Sequence, residues 1–227
     1  MALTFPLAMP ANWVGQQVFE PSRLDYASPE TGGRFGGVTA GPPRWAAEWS
    51  VANAITDVTS DQVRAFVAAL RGAQKRFYGK DVSRPYPRLY MGGFTGLLRA
   101  GGGSFDGSAT TWSQSTGAGG QALLTLTNLP AALQLSIGDY VGHRWTTGSL
   151  ARRGLTRLLE SATTDGSGNV TVAIEPAIPG LTPSDAVAYL DNPVCIMGLV
   201  PGETRLTDMD RRRRVGGRIV AVQEILE

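Results

Sequence analysis

The stretch TRLLESATTDGSGNVTVAIEP, from Thr156 to Pro176, contains two apolar runs separated by DGSGN at Asp165 to Asn169. Glycine and asparagine accept the positive φ angles that a tight chain reversal requires, so the stretch predicts a β-hairpin. The surrounding sequence adds two more strands, and the four predicted strands are Ala122 to Leu126, Asp139 to Trp145, Leu155 to Ala162 and Val170 to Glu175. A small antiparallel barrel or sandwich over residues 121–193 fits this pattern.

The composition of the 227 residues also favours a mostly β protein. The chain has 29 glycines and 14 prolines, while only 18% of its residues are charged. Such a composition is typical of short strands joined by tight turns. The 21 Lys and Arg against 19 Asp and Glu give a net charge of +2. This is too small for a DNA-binding domain driven by electrostatics.

Two observations bear on the location of the protein. No stretch approaches the roughly 20 apolar residues that a membrane span needs. The start, MALTFPLAMPANW, has no basic segment, and two prolines interrupt its apolar run. We therefore expect a cytosolic product, without a membrane contact, that is assembled into a larger particle or released by lysis.

The first part of the chain predicts a strand from Trp13 to Arg23 and a second from Arg44 to Val51, with a hairpin connection at Ser28 to Gly37. A helix is predicted from Ser60 to Arg76. Val63, Phe66, Val67 and Leu70 recur at helical spacing, so they are predicted to form the face of the helix that packs on the core. Thr59, with Gln62 three residues later, is the predicted start of the helix.

Glycine is concentrated from Gly92 to Gly120, which predicts a linker or long flexible loop, parts of which dock through their embedded aromatic residues. A further strand is expected at Arg88 to Met91. The apolar runs Val194 to Val200 and Arg218 to Leu226 are assigned to the first domain, because the N-terminal block has too few strands to close a sheet. The expected organisation is a domain of residues 1–91 plus 194–227, a linker at 92–120 and an inserted domain at 121–193.

The second half carries further short motifs: IGDYV at Ile137 to Val141 and LDNP at Leu190 to Pro193. Together with the hairpin stretch they resemble the barrel domain of tail proteins from siphophages and related prophages. The order of strand, hairpin, strand, single amphipathic helix and strand before them is similar to the N-terminal domain of siphophage distal tail proteins. That domain shares a β-sandwich-plus-helix design with tail tube proteins.

The resemblance implies a mainly β protein with one amphipathic helix, combining a tail-tube-like β-sandwich with a second small antiparallel β-barrel. It also implies a structural role in the virion, at the tail tip or baseplate. There the chain would form a ring, usually a hexamer, between the tail tube protein and the hub and other baseplate proteins. The lumen of the ring would lie on the path of exiting DNA.

The run RRRR, at Arg211, Arg212, Arg213 and Arg214, is the most unusual charge feature of the sequence. Three interpretations stay open. The run is a solvated loop balanced by Asp208 and Asp210, a contact to carboxylates of a neighbouring subunit, or a phosphate contact to DNA in the lumen.

Tryptophans supply the second candidate site. Trp45 and Trp49 share one face of a strand, which favours the core. Trp112 and Trp145 are flanked by Gly, Ser and Thr and are the better candidates for an exposed platform that stacks on sugar rings.

No residue pattern predicts a catalytic, cofactor-binding or metal site. His143 is the only histidine, without a Gly-x-Ser-x-Gly motif to accompany it. Cys195, the only cysteine, lies in an apolar stretch and is expected to be buried. We therefore expect no enzyme and no cofactor. The alternatives to a tail-tip structural protein are a host-surface carbohydrate-binding module, a tail-tip enzyme and a head-to-tail connector.

Overall fold

The computed structural model describes residues 3–29, 35–52, 55–207 and 210–225. The chain is mainly β with one amphipathic helix, which confirms the predicted class. The helix α1 spans Asp57–Ala69, and two short 3-10 turns span Gly72–Gln74 and Arg88–Tyr90. The strands are β1 (Leu7–Ala8), β2 (Val14–Ser22), β3 (Asp25–Pro29), β4 (Phe35–Thr39), β5 (Arg44–Val51), β6 (Phe77–Gly79), β7 (Trp112–Thr116), β8 (Ala122–Leu126), β9 (Gln134–Leu135), β10 (Tyr140–Thr147), β11 (Leu150–Leu158), β12 (Ala162–Thr163), β13 (Val170–Glu175), β14 (Val187–Tyr189), β15 (Cys195–Leu199), β16 (Arg205–Leu206) and β17 (Gly217–Gln223).

The first sheet combines both ends of the chain. Its order is β1-β6-β15-β17-β5-β2, and β16 pairs with β17. The C-terminal strands β15 and β17 lie between β6 and β5, and all three of these contacts are antiparallel. The N-terminal strands alone would leave β6 and β5 unpaired with each other, so the C-terminal strands complete the sheet.

The helix α1 covers one face of this sheet. Val63, Phe66 and Leu70 are buried in the core formed with the alternate residues of β5, which include Trp45 and Trp49. The helix begins earlier than predicted, because Thr56 and not Thr59 is its N-cap: the Thr56 hydroxyl accepts the Thr59 N–H at 3.1 Å. The predicted pairing of Thr59 with Gln62 is therefore wrong.

The second sheet has the order β14-β10-β11-β13-β8-β7 and is antiparallel throughout. Its two edges meet through a few bonds: Ala109 N donates to Ala188 O at 2.9 Å, and Trp112 Nε1 donates to Ala186 O at 2.7 Å. Among the described residues these bonds take the place of a continuous ladder. The expected barrel is thus a strongly curved sheet that is not closed strand to strand.

The DGSGN stretch forms the predicted reversal. The Asp165 carboxylate accepts the N–H groups of Ser167 and Asn169 at 2.9 and 2.8 Å. Gly168 has a φ of +74°, the conformation that glycine adopts without strain. The hairpin connection predicted at Ser28 to Gly37 includes residues 30–34, which lie outside the described part, while its flanks form the antiparallel pair β3 and β4.

The glycine-rich segment 92–120 is not a free linker. Phe94 and Phe105 are buried in the core of the second sheet, and Trp112–Thr116 forms strand β7. The Arg99 guanidinium donates to the carbonyls of Ser108 and Asn128 and to the Asp106 carboxylate. These anchors offset the entropy that the glycines lose on ordering.

The expected strand at Arg88 to Met91 is also a correction, because Arg88–Tyr90 is a 3-10 turn after Pro87. The Arg88 N–H donates to the Asp139 carboxylate at 2.8 Å, so the turn is tied to the second sheet and forms no ladder. Within the ranges given above, no helix is long and apolar enough to cross a membrane.

Candidate functional site

A long two-stranded ribbon projects from the edge of the first sheet. Strands β2 and β5 pair with each other, and the chain between them continues as the pair β3 and β4. The outer part of this ribbon, residues 24–29 and 35–40, is called the arm below. The Ala40 N–H bonds to the Leu24 carbonyl at 2.8 Å, which carries the ladder from the sheet into the arm.

The arm exposes large apolar side chains. Leu24, Tyr26 and Val38 are 60%, 62% and 69% exposed. An ion pair between Arg23 and Glu175 ties the base of the arm to the second sheet. A two-stranded ribbon is marginally stable in water by itself, so these apolar side chains suit a surface that another chain covers.

The arginine run forms a tight exposed loop. The Asp210 carboxylate accepts the N–H groups of Arg212 and Arg214, both at 2.8 Å, and pairs with the Arg214 guanidinium at 2.9 Å. These bonds, led by the backbone bond from Arg214, hold the pKa of Asp210 below its usual range. Arg211, Arg212 and Arg213 are exposed and form no ion pair with any described residue, while Asp208 lies outside the described part.

The loop is fixed to the core of the first sheet on its C-terminal side. Val215 is buried, and its N–H donates to the Ser60 hydroxyl at 3.2 Å. The loop that carries the three exposed arginines is thereby anchored beside the beginning of α1. This arrangement is compatible with a contact to carboxylates or phosphates of another molecule.

The two candidate platform tryptophans are both half-buried. The Trp112 indole donates to Ala186 O and lies edge-on to the His143 ring, with the ring centroids 4.7 Å apart. Trp145 lies on the same strand face as His143 and is the cross-strand partner of Arg152. Neither ring is fully open to solvent, and the Trp112 N–H is already used by an internal hydrogen bond.

The single histidine and the single cysteine are both buried. His143 is fully buried, and burial lowers its pKa to about 3, so the imidazole is neutral. Cys195 is also fully buried, and burial raises the pKa of its thiol. A thiol that stays protonated is a poor nucleophile, which agrees with its predicted role as core filler.

A cleft that the sequence analysis missed lies where the two sheets meet. It has a volume of about 560 Å³ and is lined by Lys80, Arg144, Arg153 and Asp191 together with tyrosines, among them Tyr78 and Tyr189. The lining therefore carries three cations and one carboxylate. We refer to it as the junction cleft.

The register of the second sheet brings the two arginines of the junction cleft together. Arg144 on β10 lies directly opposite Arg153 on β11. Both residues are equally far from the reversal between these strands, so a predicted hairpin in this register would have placed them side by side. The predicted strand from Leu155 to Ala162 begins two residues after Arg153 and therefore did not include it, whereas β11 begins at Leu150.

Comparison with known proteins does not assign the chain to a family. No family model matches the sequence, and no curated protein matches it at a significant level.

Proposed function

We propose that this protein is a structural component of a bacteriophage tail tip. Copies of the chain form a ring, a hexamer by the resemblance of its sequence to distal tail proteins, which joins the tail tube to hub and fibre proteins. Its place is the virion, and DNA passes through the lumen only in transit.

The observation that carries the proposal is the arm. The arm residues 24–27 and 37–40 are exposed and Gly36 is half-buried, so Tyr26 and Val38, which lie opposite each other, present most of their apolar surface to solvent. A ribbon that leaves one subunit and lies on the next makes a heterologous contact, in which two different surfaces meet. Such contacts generate a closed ring when the rotation between neighbours closes.

The arginine loop has a role in the same proposal. Arg211, Arg212 and Arg213 pair with carboxylates of a neighbouring subunit or of the hub. Guanidinium groups suit such interfaces because they are weakly hydrated and bind a carboxylate through two parallel N–H donors.

Cryo-electron microscopy of virions that contain the chain tests the location. We expect density for a closed ring at the distal end of the tail tube, with the arm of each copy on its neighbour. Density at the head-to-tail neck would favour a connector and would overturn the tail-tip assignment. Absence of the chain from every particle would overturn a structural role altogether.

Substitution tests the arm directly. The double variant Tyr26→Ser/Val38→Ser should keep the melting temperature of the isolated chain, since both side chains are already exposed. Supplied to a phage that lacks the chain, it should reduce the yield of complete tails. The control is Leu150→Ser/Leu181→Ser, which replaces two other apolar residues outside the arm that are also more than half exposed. Equal tail yields from the two double variants would contradict a role for the arm.

A further inference from the structure

We propose that the junction cleft binds an oxyanion, a phosphoryl or carboxylate group, carried by a ligand about the size of a monosaccharide. The two groups that hold the oxyanion are the guanidiniums of Arg144 and Arg153. This binding function is separate from ring assembly and does not depend on it.

The first argument is the charge of the pair. Like charges directly opposite on neighbouring strands destabilise a sheet, yet Arg144 and Arg153 occupy such positions. No carboxylate within the described ranges forms an ion pair with either of them. An oxyanion bound between the two guanidiniums would convert their repulsion into two favourable interactions.

The second argument is that the tyrosines hold both guanidiniums in place. The Arg144 guanidinium lies 5.3 Å from the ring centroid of Tyr189, and that of Arg153 lies 5.2 Å from the ring centroid of Tyr78. Cation–π contact uses the flat face of a guanidinium and leaves its N–H edge for hydrogen bonds. Nη1 of Arg153 donates to the Arg152 carbonyl at 2.7 Å, and a guanidinium has five N–H donors, so further donors remain for a ligand. The fork of an arginine fits the two oxygens of a carboxylate or phosphoryl group.

The backbone is shaped to allow this arrangement. Gly142 lies opposite Tyr189 in the sheet, and a side-chain carbon at Gly142 would be 2.4 Å from Cζ of the Tyr189 ring. Only glycine at this position lets the tyrosine lie across the strand and reach Arg144. The glycine in the middle of β10 therefore shapes the wall of the cleft.

The charged side chains of Lys80 and Asp191 indicate what the ligand carries besides the oxyanion. The Lys80 amine donates to the Asn192 side chain at 2.8 Å, and Asp191 lies close enough to act on its charge. Burial lowers the pKa of Lys80, and Asp191 opposes that change. Asp191 thus acts on the charge of Lys80 and shares a side-chain hydrogen bond with Tyr86, and its oxygens can also accept hydroxyl groups of a ligand. A cleft of about 560 Å³ holds more than an inorganic ion, which points to a sugar bearing the anionic group.

Isothermal titration calorimetry with the full chain tests the proposal, using glucose 6-phosphate, glucuronate, inorganic phosphate and glucose as probes. We expect saturable binding of the anions, weaker at high salt, and none of glucose. Tighter binding of the two charged sugars than of inorganic phosphate assigns the site to a sugar ligand. Equal affinities assign it to the free anion.

Two substitutions locate the binding. Arg144→Gln and Arg153→Gln should each weaken anion binding by about tenfold or more, the value of one charge-assisted hydrogen bond. The control Arg64→Gln removes the same charge from the exposed face of α1 and should leave the affinity unchanged. If a glutamine variant fails to fold, Arg144→Lys and Arg153→Lys keep the charge but lose the fork, and a several-fold loss is expected. The absence of saturable binding of all three anions, or full binding by the folded variants, would overturn the proposal.

Discussion

The indole Nε1 of Trp45 donates a 2.8 Å hydrogen bond to the main-chain carbonyl of Leu155, so a side chain of the first sheet is bonded to a strand of the second. The same indole stacks on Phe19, with ring centroids 5.0 Å apart, and meets the edge of Tyr140. Tyr140 belongs to the second sheet, and its hydroxyl donates to the Asp81 carboxylate at 3.1 Å. The two sheets therefore share a buried aromatic cluster with specific polar bonds, which we call the joint at Trp45.

Replacing Trp45 tests the strength of the joint. Trp45→Phe removes the indole donor and leaves the buried Leu155 carbonyl without it, which should lower the free energy of unfolding by about 1–3 kcal/mol beyond the loss of volume. The matched control is Trp49→Phe on the same strand, because the Trp49 Nε1 is buried without a partner in the described residues. Urea denaturation measures both variants. Equal losses would show that the Trp45 bond contributes nothing to stability.

The start of the helix gives a second prediction. Thr56→Ala removes the hydroxyl that caps the Thr59 N–H and should cost about 1 kcal/mol of stability. Gln62→Ala should change stability by less than about 0.5 kcal/mol, since Gln62 is exposed and is not part of the observed cap. Thermal denaturation distinguishes the two variants. A larger loss of stability from Gln62→Ala than from Thr56→Ala would indicate that Thr59, and not Thr56, is the N-cap.

Because His143 is buried, we expect the free energy of unfolding to fall in mild acid. Its folded pKa of about 3 lies below the ordinary value of 6.5, because burial disfavours the charged imidazolium. Between these two values the unfolded chain binds a proton that the folded chain does not. The free energy of unfolding therefore falls as the pH drops below 6.5, by about 1.4 kcal/mol between pH 7.5 and 5.5.

The variant His143→Gln separates this contribution from those of the carboxylates. It cannot titrate in this range, so its urea midpoint should change less between the two pH values than that of the unchanged protein. The relevant quantity is the difference between the two proteins at each pH, which cancels the effects of the other groups. An identical pH dependence in both proteins would mean that His143 is not neutral and buried.

The DGSGN reversal is expected to require glycine at position 168. A side-chain carbon there would lie 2.0 Å from the Leu129 carbonyl oxygen, and the residue has a φ of +74°. Gly168→Ala should therefore destabilise the protein by at least about 1–3 kcal/mol, the cost of a strained backbone alone. Gly166→Ala in the same reversal is the control, since a side-chain carbon at Gly166 meets no atom within 4 Å. Comparable melting temperatures for the two variants would refute the close approach.

Features that depend on neighbours along the chain could be predicted from the sequence. The aromatic-rich run RWAAEWSV predicted strand β5 with the bounds that it has, and Trp45 and Trp49 lie on its buried face. The spacing of Val63, Phe66 and Leu70 predicted the buried face of α1. The DGSGN motif predicted its reversal because the turn is closed by bonds within five residues. In each case the residues that determine the conformation are adjacent to the residues that adopt it.

The tertiary structure decided how these pieces meet. The sequence predicted that aromatic residues of the glycine-rich segment dock, but it did not give their partners. The segment is held by Arg99 and by two buried phenylalanines that contact a distant core. The junction cleft required strand register, because Arg144 and Arg153 become neighbours only when β10 and β11 pair. The sequence alone thus determined the strands, the helix and the reversal, whose stability comes from short-range hydrogen bonding and side-chain periodicity. The cleft and the joint at Trp45 depend on burial between residues far apart in the chain, and only the folded protein brings those residues together.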